Sequence, residues 1–288
     1  MATIRNPLEW GVDQIRIAAL AVESVGRAVG GARDGVEAPL PEVRRIGLSA
    51  LGDALRKGVE DFAAYRTDVV FLCIIYPVMG LIIGQAAVGS NMLPLLFPLA
   101  SGFALIGPFA GIGLYQMSRR REQGAEVGWP DAFGVVRSPA FGTIVVLGLA
   151  LAAVLLLWLG LAQAIYWSTL GPNPPDSLDL FLREVFTTKA GWTLIGVGVG
   201  VGFLFAVLVL VVGVVSFPLL LDRNVTLRTA VETSARAAAA NPIPIAAWGL
   251  IVAGGLVLGS IPLFLGLVIV MPVLGHATWH LYRELVPR

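Results

Sequence analysis

Between Val69 and Leu221 every charged residue falls in one of two clusters, 119–137 and 176–189, and the stretches around them are long, apolar and uncharged. Runs of this kind match the roughly 18–20 residues that a helix needs to cross the hydrocarbon core of a bilayer. A backbone in lipid has no water to bond with, so such runs fold as helices that pair their own N–H and C=O groups. The rest of the composition agrees. Hydrophobic residues make up 57% of the chain and charged ones only 14%, where a soluble domain carries about a quarter. A single cysteine, Cys73, excludes an internal disulfide framework and any Cys-rich metal site. The opening "MATIRNPLEWGVDQIRIAAL" lacks the compact apolar core and cleavage site of a signal peptide. Insertion is therefore expected to be directed by the spans themselves.

Six spans are predicted, at about 69–88, 93–117, 141–166, 191–220, 244–259 and 261–280. The expected fold is all-α: a polytopic membrane protein whose six helices form three hairpins, with amphipathic helices on the cytoplasmic side. The fifth run is short, and Ser260-Ile261-Pro262 after it reads as a tight turn or a kink. Lysine and arginine set the orientation. Residues 1–67 hold nine, the 118–140 loop four, the 222–243 loop three and the tail two, against only Arg183 and Lys189 in the intervening loops. That is 18 on one side and 2 on the other, which predicts both termini in the cytoplasm of a bacterial inner membrane.

Two parts follow, 1–67 and 68–288. Over 43–62, Val43, Ile46, Leu51, Leu55, Val59 and Phe62 recur at helical spacing, opposed by Arg44, Arg45, Asp53, Lys57, Glu60 and Asp61. A basic amphipathic helix before a span either lies among headgroups or packs on the inner ends of its own bundle. The 8–29 stretch has a weaker pattern of the same kind, and "GGARDGVEAPLPE" between them reads as a linker. A short amphipathic segment also precedes the second and third hairpins, so any internal repeat is parallel.

The six spans contain no Asp, Glu, Lys or Arg. Ion-coupled transporters need such groups inside the bilayer, so this chemistry is disfavoured, whereas passage of a neutral solute is not. Glycines four apart, Gly80/Gly84, Gly107/Gly111, Gly196/Gly200 and Gly198/Gly202, have the spacing that lets helices approach closely. "GVGVGVGF" lies inside a span with no preceding strand, so no nucleotide site is read there, and nothing points to nucleic acid. No Ser/His/Asp constellation, paired in-span carboxylates or phosphate loop is visible, and an enzyme is not expected.

Three stretches carry a resemblance: "GPFAGIGLYQMSRRREQG" (107–124), "VVSFPLLLDRNVTLRTAVETSARAAAANPIPIAAWGLIV" (214–252) and "GHATWHLYREL" (275–285). Together they resemble a family of bacterial integral membrane proteins of unknown function, over roughly 50–285. Some members bear the label cytochrome c oxidase subunit. The chain lacks the several in-span histidines of an oxidase catalytic subunit, so the resemblance implies at most an accessory place beside a respiratory or photosynthetic complex. Physically, Gly107 and Gly111 suit close packing, Tyr115 suits the interface, and Arg119, Arg120 and Arg121 suit anionic headgroups. Asp222 or Asn224 is placed to cap the helix that follows.

His276 and His280, four apart, share one helix face. With Cys73 at similar depth they form a candidate copper or zinc set, although one pair supplies few ligands. The bland alternative is an interfacial helix exit beside Trp279, Tyr282 and Arg283. No cofactor is predicted. The expected partners are the lipid bilayer and other membrane subunits. The functional expectation is a non-catalytic accessory, assembly or scaffold subunit, with a carrier of a neutral solute as the alternative and a metal or redox protein third.

Overall fold

The computed structural model describes residues 40–65, 69–70, 73–89, 92–173, 175 and 177–288, without the side chains of 83, 86–89, 103, 104 and 106. The 8–29 stretch lies outside the described residues. Among them the chain is all-α, with ten α-helices and two 3-10 segments. The α-helices are α1 (Ser49–Ala64), α2 (Ile75–Gly89), α3 (Leu96–Ala110), α4 (Ile112–Glu122), α5 (Phe141–Thr169), α6 (Leu178–Thr187), α7 (Lys189–Asp222), α8 (Leu227–Ala240), α9 (Pro242–Ser260) and α10 (Leu267–Leu285). The 3-10 segments are Leu93–Leu95 and Trp129–Arg137.

Among the described residues three helices are long and apolar enough to cross a membrane: α5, α7 and α9. The short fifth run is thus a full 19-residue helix, because Asn241 ends α8 and Pro242 starts α9 where its missing N–H costs nothing. Ser260-Ile261-Pro262 opens a tight turn in which Leu263 and Phe264 take φ of 52° and 65°. The second run is divided. Pro108 removes an N–H inside α3, and Gly111 carries the chain from α3 into α4.

The core is concentrated at the end that holds α1, α8 and the 119–137 loop, here the basic end. Along α7 the fully buried run is Gly213–Leu221, while Phe203, Leu204 and Val199 nearer the other end are exposed. Short α8 packs on that buried part of α7 through Ala230, Thr233, Ser234 and Ala237. The Ser234 hydroxyl donates to the Val211 carbonyl at 2.7 Å and accepts from the Val215 N–H at 3.2 Å. The hydroxyl thus bridges the Val211 carbonyl and the Val215 N–H of a 34-residue helix, shortly before Pro218. Thr226, rather than Asp222 or Asn224, caps α8 by accepting from the Thr229 N–H. Asp222 is engaged elsewhere.

The most extensive helix pairing joins α1 to α10. They run antiparallel, since Arg44 N–H donates to Leu285 C=O and Gly58 lies against Ala277. The buried face of α1 is Leu51, Ala54, Gly58 and Asp61, whereas Val59 is exposed. This face is rotated from the apolar stripe expected from periodicity. Small side chains at 54 and 58 allow backbone approach to α10, and that close contact, rather than the bulkiest hydrophobics, selects the face. Asn241 fastens the segment before α1: its amide accepts from Ile46 N–H at 2.7 Å and donates to Arg44 C=O at 2.9 Å.

A Cβ at Gly58 would lie 2.7 Å from the Ala277 Cβ and 2.8 Å from the Ala277 nitrogen. Gly58→Leu is therefore expected to destabilise the folded protein by about 1–3 kcal/mol through overpacking. Gly52→Leu, where nothing lies within 4 Å, is expected to change little. Thermal melting of the two detergent-purified variants measures the difference.

Candidate functional site

Asp61 carries a negative charge into the α1–α10 seam, and its side chain is only 6% exposed. An isolated buried carboxylate is costly, so its neighbours decide whether it stays ionised. From α4, Arg121 Nη1 donates to Oδ1 at 2.5 Å and the Ser118 hydroxyl donates to Oδ2 at 2.5 Å. From α10, His280 Nε2 donates to Oδ2 at 2.9 Å, and His276 Nδ1 lies 3.9 Å away. Three helices distant in sequence thus meet on one carboxylate. The arrangement follows from helical spacing, because Ser118 and Arg121 are three apart and His276 and His280 four apart, each pair on one face.

The hydroxyl of Ser118 has one proton, which goes to Asp61. It then accepts from His276 Nδ1 at 2.7 Å, so the network assigns the His276 proton to Nδ1. The Nε2 of His276 is left as a buried acceptor with no hydrogen-bond partner among the described residues. Burial alone pushes the Asp61 carboxyl up. Hydrogen bonds from His280 and Ser118, and the nearness of both imidazoles, outweigh it and hold the carboxyl at about 2.

Serine, histidine and aspartate stand together here, a grouping that the sequence did not reveal. Their order differs from a nucleophile–base–acid relay, in which histidine lies between the other two. Ser118 instead sits between Asp61 and His276, donates to the carboxylate, and is 2% exposed.

His276 and His280 come together with Asp61. Cys73 is buried in an apolar cluster with Val69, Leu114, Met117 and Ala132, with no polar contact to either histidine. Among the described residues no group of three His, Cys, Asp or Glu has a metal-holding arrangement. Arg119, Arg120 and Arg121 pair with Asp222, Asp131 and Asp61, carboxylates of the chain itself. Tyr115 is buried within the bundle, Gly111 lies against the Tyr115 ring, and Gly107 faces open space.

Asp61 and Ser118 are the residues that sequence reasoning missed. Periodicity over 43–62 puts Asp61 on the charged face of α1. The available signal was its spacing from Leu51, Ala54 and Gly58, which is that of a helix-packing stripe.

Long apolar helices joined by short loops, with a polar seam at one end, define a multi-pass integral membrane protein of helical class. Residues 96–222 match the family described as Predicted integral membrane protein (DUF2189), a family of unknown function. The matched segment contains the 107–124 motif and the start of the 214–252 motif; the 275–285 stretch lies beyond it. No curated protein matches the chain, and no solved structure does.

The seam has a definite pH dependence. A carboxyl held at about 2 against an ordinary 3.8 contributes roughly 2 kcal/mol of stability. The sign follows from the depressed value: the contribution is full above pH 4 and is lost as pH falls from about 4 towards 2. Asp61→Asn removes the charge and is expected to abolish this component of acid sensitivity. Asp61→Ala takes the acceptor away from the buried Ser118 hydroxyl and from His280, and a loss of about 1–3 kcal/mol is expected. Melting temperatures between pH 7 and pH 3 check both.

Proposed function

We propose that the chain is a six-span protein of the bacterial inner membrane, with both termini cytoplasmic, acting as a non-catalytic accessory, assembly or scaffold subunit. The observation that carries this reading is the distribution of packing. At the basic end, α1, α4, α7, α8 and α10 are locked by buried contacts and charged pairs. Away from that end, α5 and α9 bury only 22% and 17% of their most apolar windows. Leu156, Leu157, Leu250 and Leu258 stand on these open faces. Such faces require lipid or the helices of another subunit around them. A sealed polar seam supports a structural role, since Ser118 and His276 offer no access to a substrate.

The cytoplasmic placement rests on the 18-to-2 division of Lys and Arg. In intact cells, Arg183→Cys is expected to react with a membrane-impermeant thiol reagent, and Glu126→Cys only after lysis. The opposite labelling pattern would reverse the topology. For the accessory role, mild-detergent purification from the native membrane is expected to retain stoichiometric larger subunits. Recovery of the chain alone under several mild detergents would count against that role.

One observation favours a second reading, a carrier of a neutral solute. A cavity of about 390 Å³ lies between α3, α4, α7, α9 and α10, lined by Pro108, Phe203, Trp248 and Met271, with Tyr115 and Thr278 contributing hydroxyl groups. Gly107 lines it and has open space where a Cβ would stand. On this reading, reconstituted vesicles admit glycerol faster than empty ones, and Gly107→Phe slows the entry. Equal rates in loaded and empty vesicles would remove it.

A further inference from the structure

Beyond the Asp61 seam, the ends of α4, α7 and α10 enclose a solvent-open pocket of about 600 Å³ at the basic end. Four guanidinium groups line it, those of Arg119, Arg223, Arg283 and Arg288, against two carboxylates, Glu122 and Asp222. Arg283 bonds to Glu122 at 3.2 Å and to Asp222 at 3.1 Å, and Arg288 to Glu122 at 2.8 Å. Arg119 Nη2 donates to the Asp222 carbonyl at 3.5 Å, and Arg223 donates to the Pro287 carbonyl. Tyr282 also donates to Asp222, at 2.8 Å. The carboxylates therefore orient the arginines without neutralising them, and the side chains leave two positive charges over.

Each guanidinium offers five N–H donors, and the bonds to Glu122, Asp222 and Pro287 use a minority of them. Arg119 Nε is buried without a hydrogen-bond partner, since its nearest acceptor, Asp222 Oδ1, is 3.6 Å away. A second concavity of about 330 Å³ shares Arg119, Asp222 and Arg223 and adds Arg137. An excess of forked donors, part of it held in place by ion pairs, matches a tetrahedral oxyanion with several acceptor oxygens. The pocket sits where α7, one of the helices long and apolar enough to span, ends beside the ends of α4 and α10, at the level where headgroups lie if α7 spans. Its volume exceeds that of one phosphate group, so there is room for the substituent of a phosphate ester.

We propose that this pocket binds a phosphate-bearing anion, either an anionic lipid headgroup or a soluble phosphate. The inference stands apart from the accessory-subunit reading, because it concerns what the chain binds rather than which complex it joins. The full chain in maltoside micelles is titrated with short-chain phosphatidylglycerol, short-chain phosphatidylcholine and inorganic phosphate, and bound species are counted by native mass spectrometry. Phosphatidylglycerol is expected to be retained over phosphatidylcholine. Arg223→Gln and Arg288→Gln are each expected to weaken it roughly fivefold, the effect of one arginine near an anionic surface. The preference is expected to shrink as salt rises. Arg228→Gln, whose side chain is 92% exposed on α8 and pairs with Glu232, is the control and is expected to change nothing.

Arginine-dependent retention of phosphatidylglycerol identifies the lipid as the source. Binding of inorganic phosphate with the same arginine dependence, but no preference between the two lipids, identifies a soluble phosphate. The proposal is overturned if neither anion depends on Arg223 and Arg288, or if Arg228→Gln weakens binding as much. Arg288 is mostly exposed, so its variant keeps the fold and the test remains decisive even if Arg223→Gln lowers stability.

Discussion

A single carboxylate brings together parts of the chain more than 200 residues apart. Asp61 on α1 receives Arg121 and Ser118 from α4 and His280 from α10, and the α1–α10 packing closes over it. Removing any one donor leaves a buried charge short of partners, a situation that costs far more than the pair contributes net. The α1–α10 register depends on it, and so does the approach of α4 to α10. Gly58 against Ala277 and Gly275 against Leu114 tighten the same three-helix junction. Because α4 and α10 also carry Arg119, Glu122 and Arg283, the geometry of the neighbouring arginine pocket is inherited from this junction.

The contrast along the molecule has a physical origin. In water, apolar faces drive helices together; in lipid that force is absent, and association relies on packing and hydrogen bonds. At the basic end the chain has small residues, hydroxyls and paired charges to join its helices. Towards the other end α7 presents Gly196, Gly198 and Gly200, beside which a Cβ would meet nothing. Contacts there are sparser, among them the Trp158 indole donating to Ser101 at 3.0 Å. One end is consequently well packed, while the other keeps open apolar surface.

Much of this was legible in the sequence. The long uncharged runs announced α5, α7 and α9, the Pro242 start of α9 was signalled by Asn241-Pro242, and the 107–124 motif pointed to the family matched over 96–222. The histidines were found as a pair on one face. Their partner was not, because a charged residue at position 61 of an amphipathic helix reads as solvated unless the identity of the facing helix is known. The same holds for Arg121: a basic residue at a membrane exit is read as a headgroup anchor, and only the position of α1 turns it towards a carboxylate.

By itself the sequence determined that the chain is helical, that its helices are membrane-directed and that its charge gathers at one end. Those properties are local, since a run of apolar residues in lipid has no alternative to satisfying its own backbone. Tertiary structure alone decided which face of α1 is buried, which carboxylate stays ionised within the protein, and that four arginines share two acids. Each of these depends on a contact between segments distant along the chain, where a rotation of one helix by a single residue exchanges a solvated charge for a buried one.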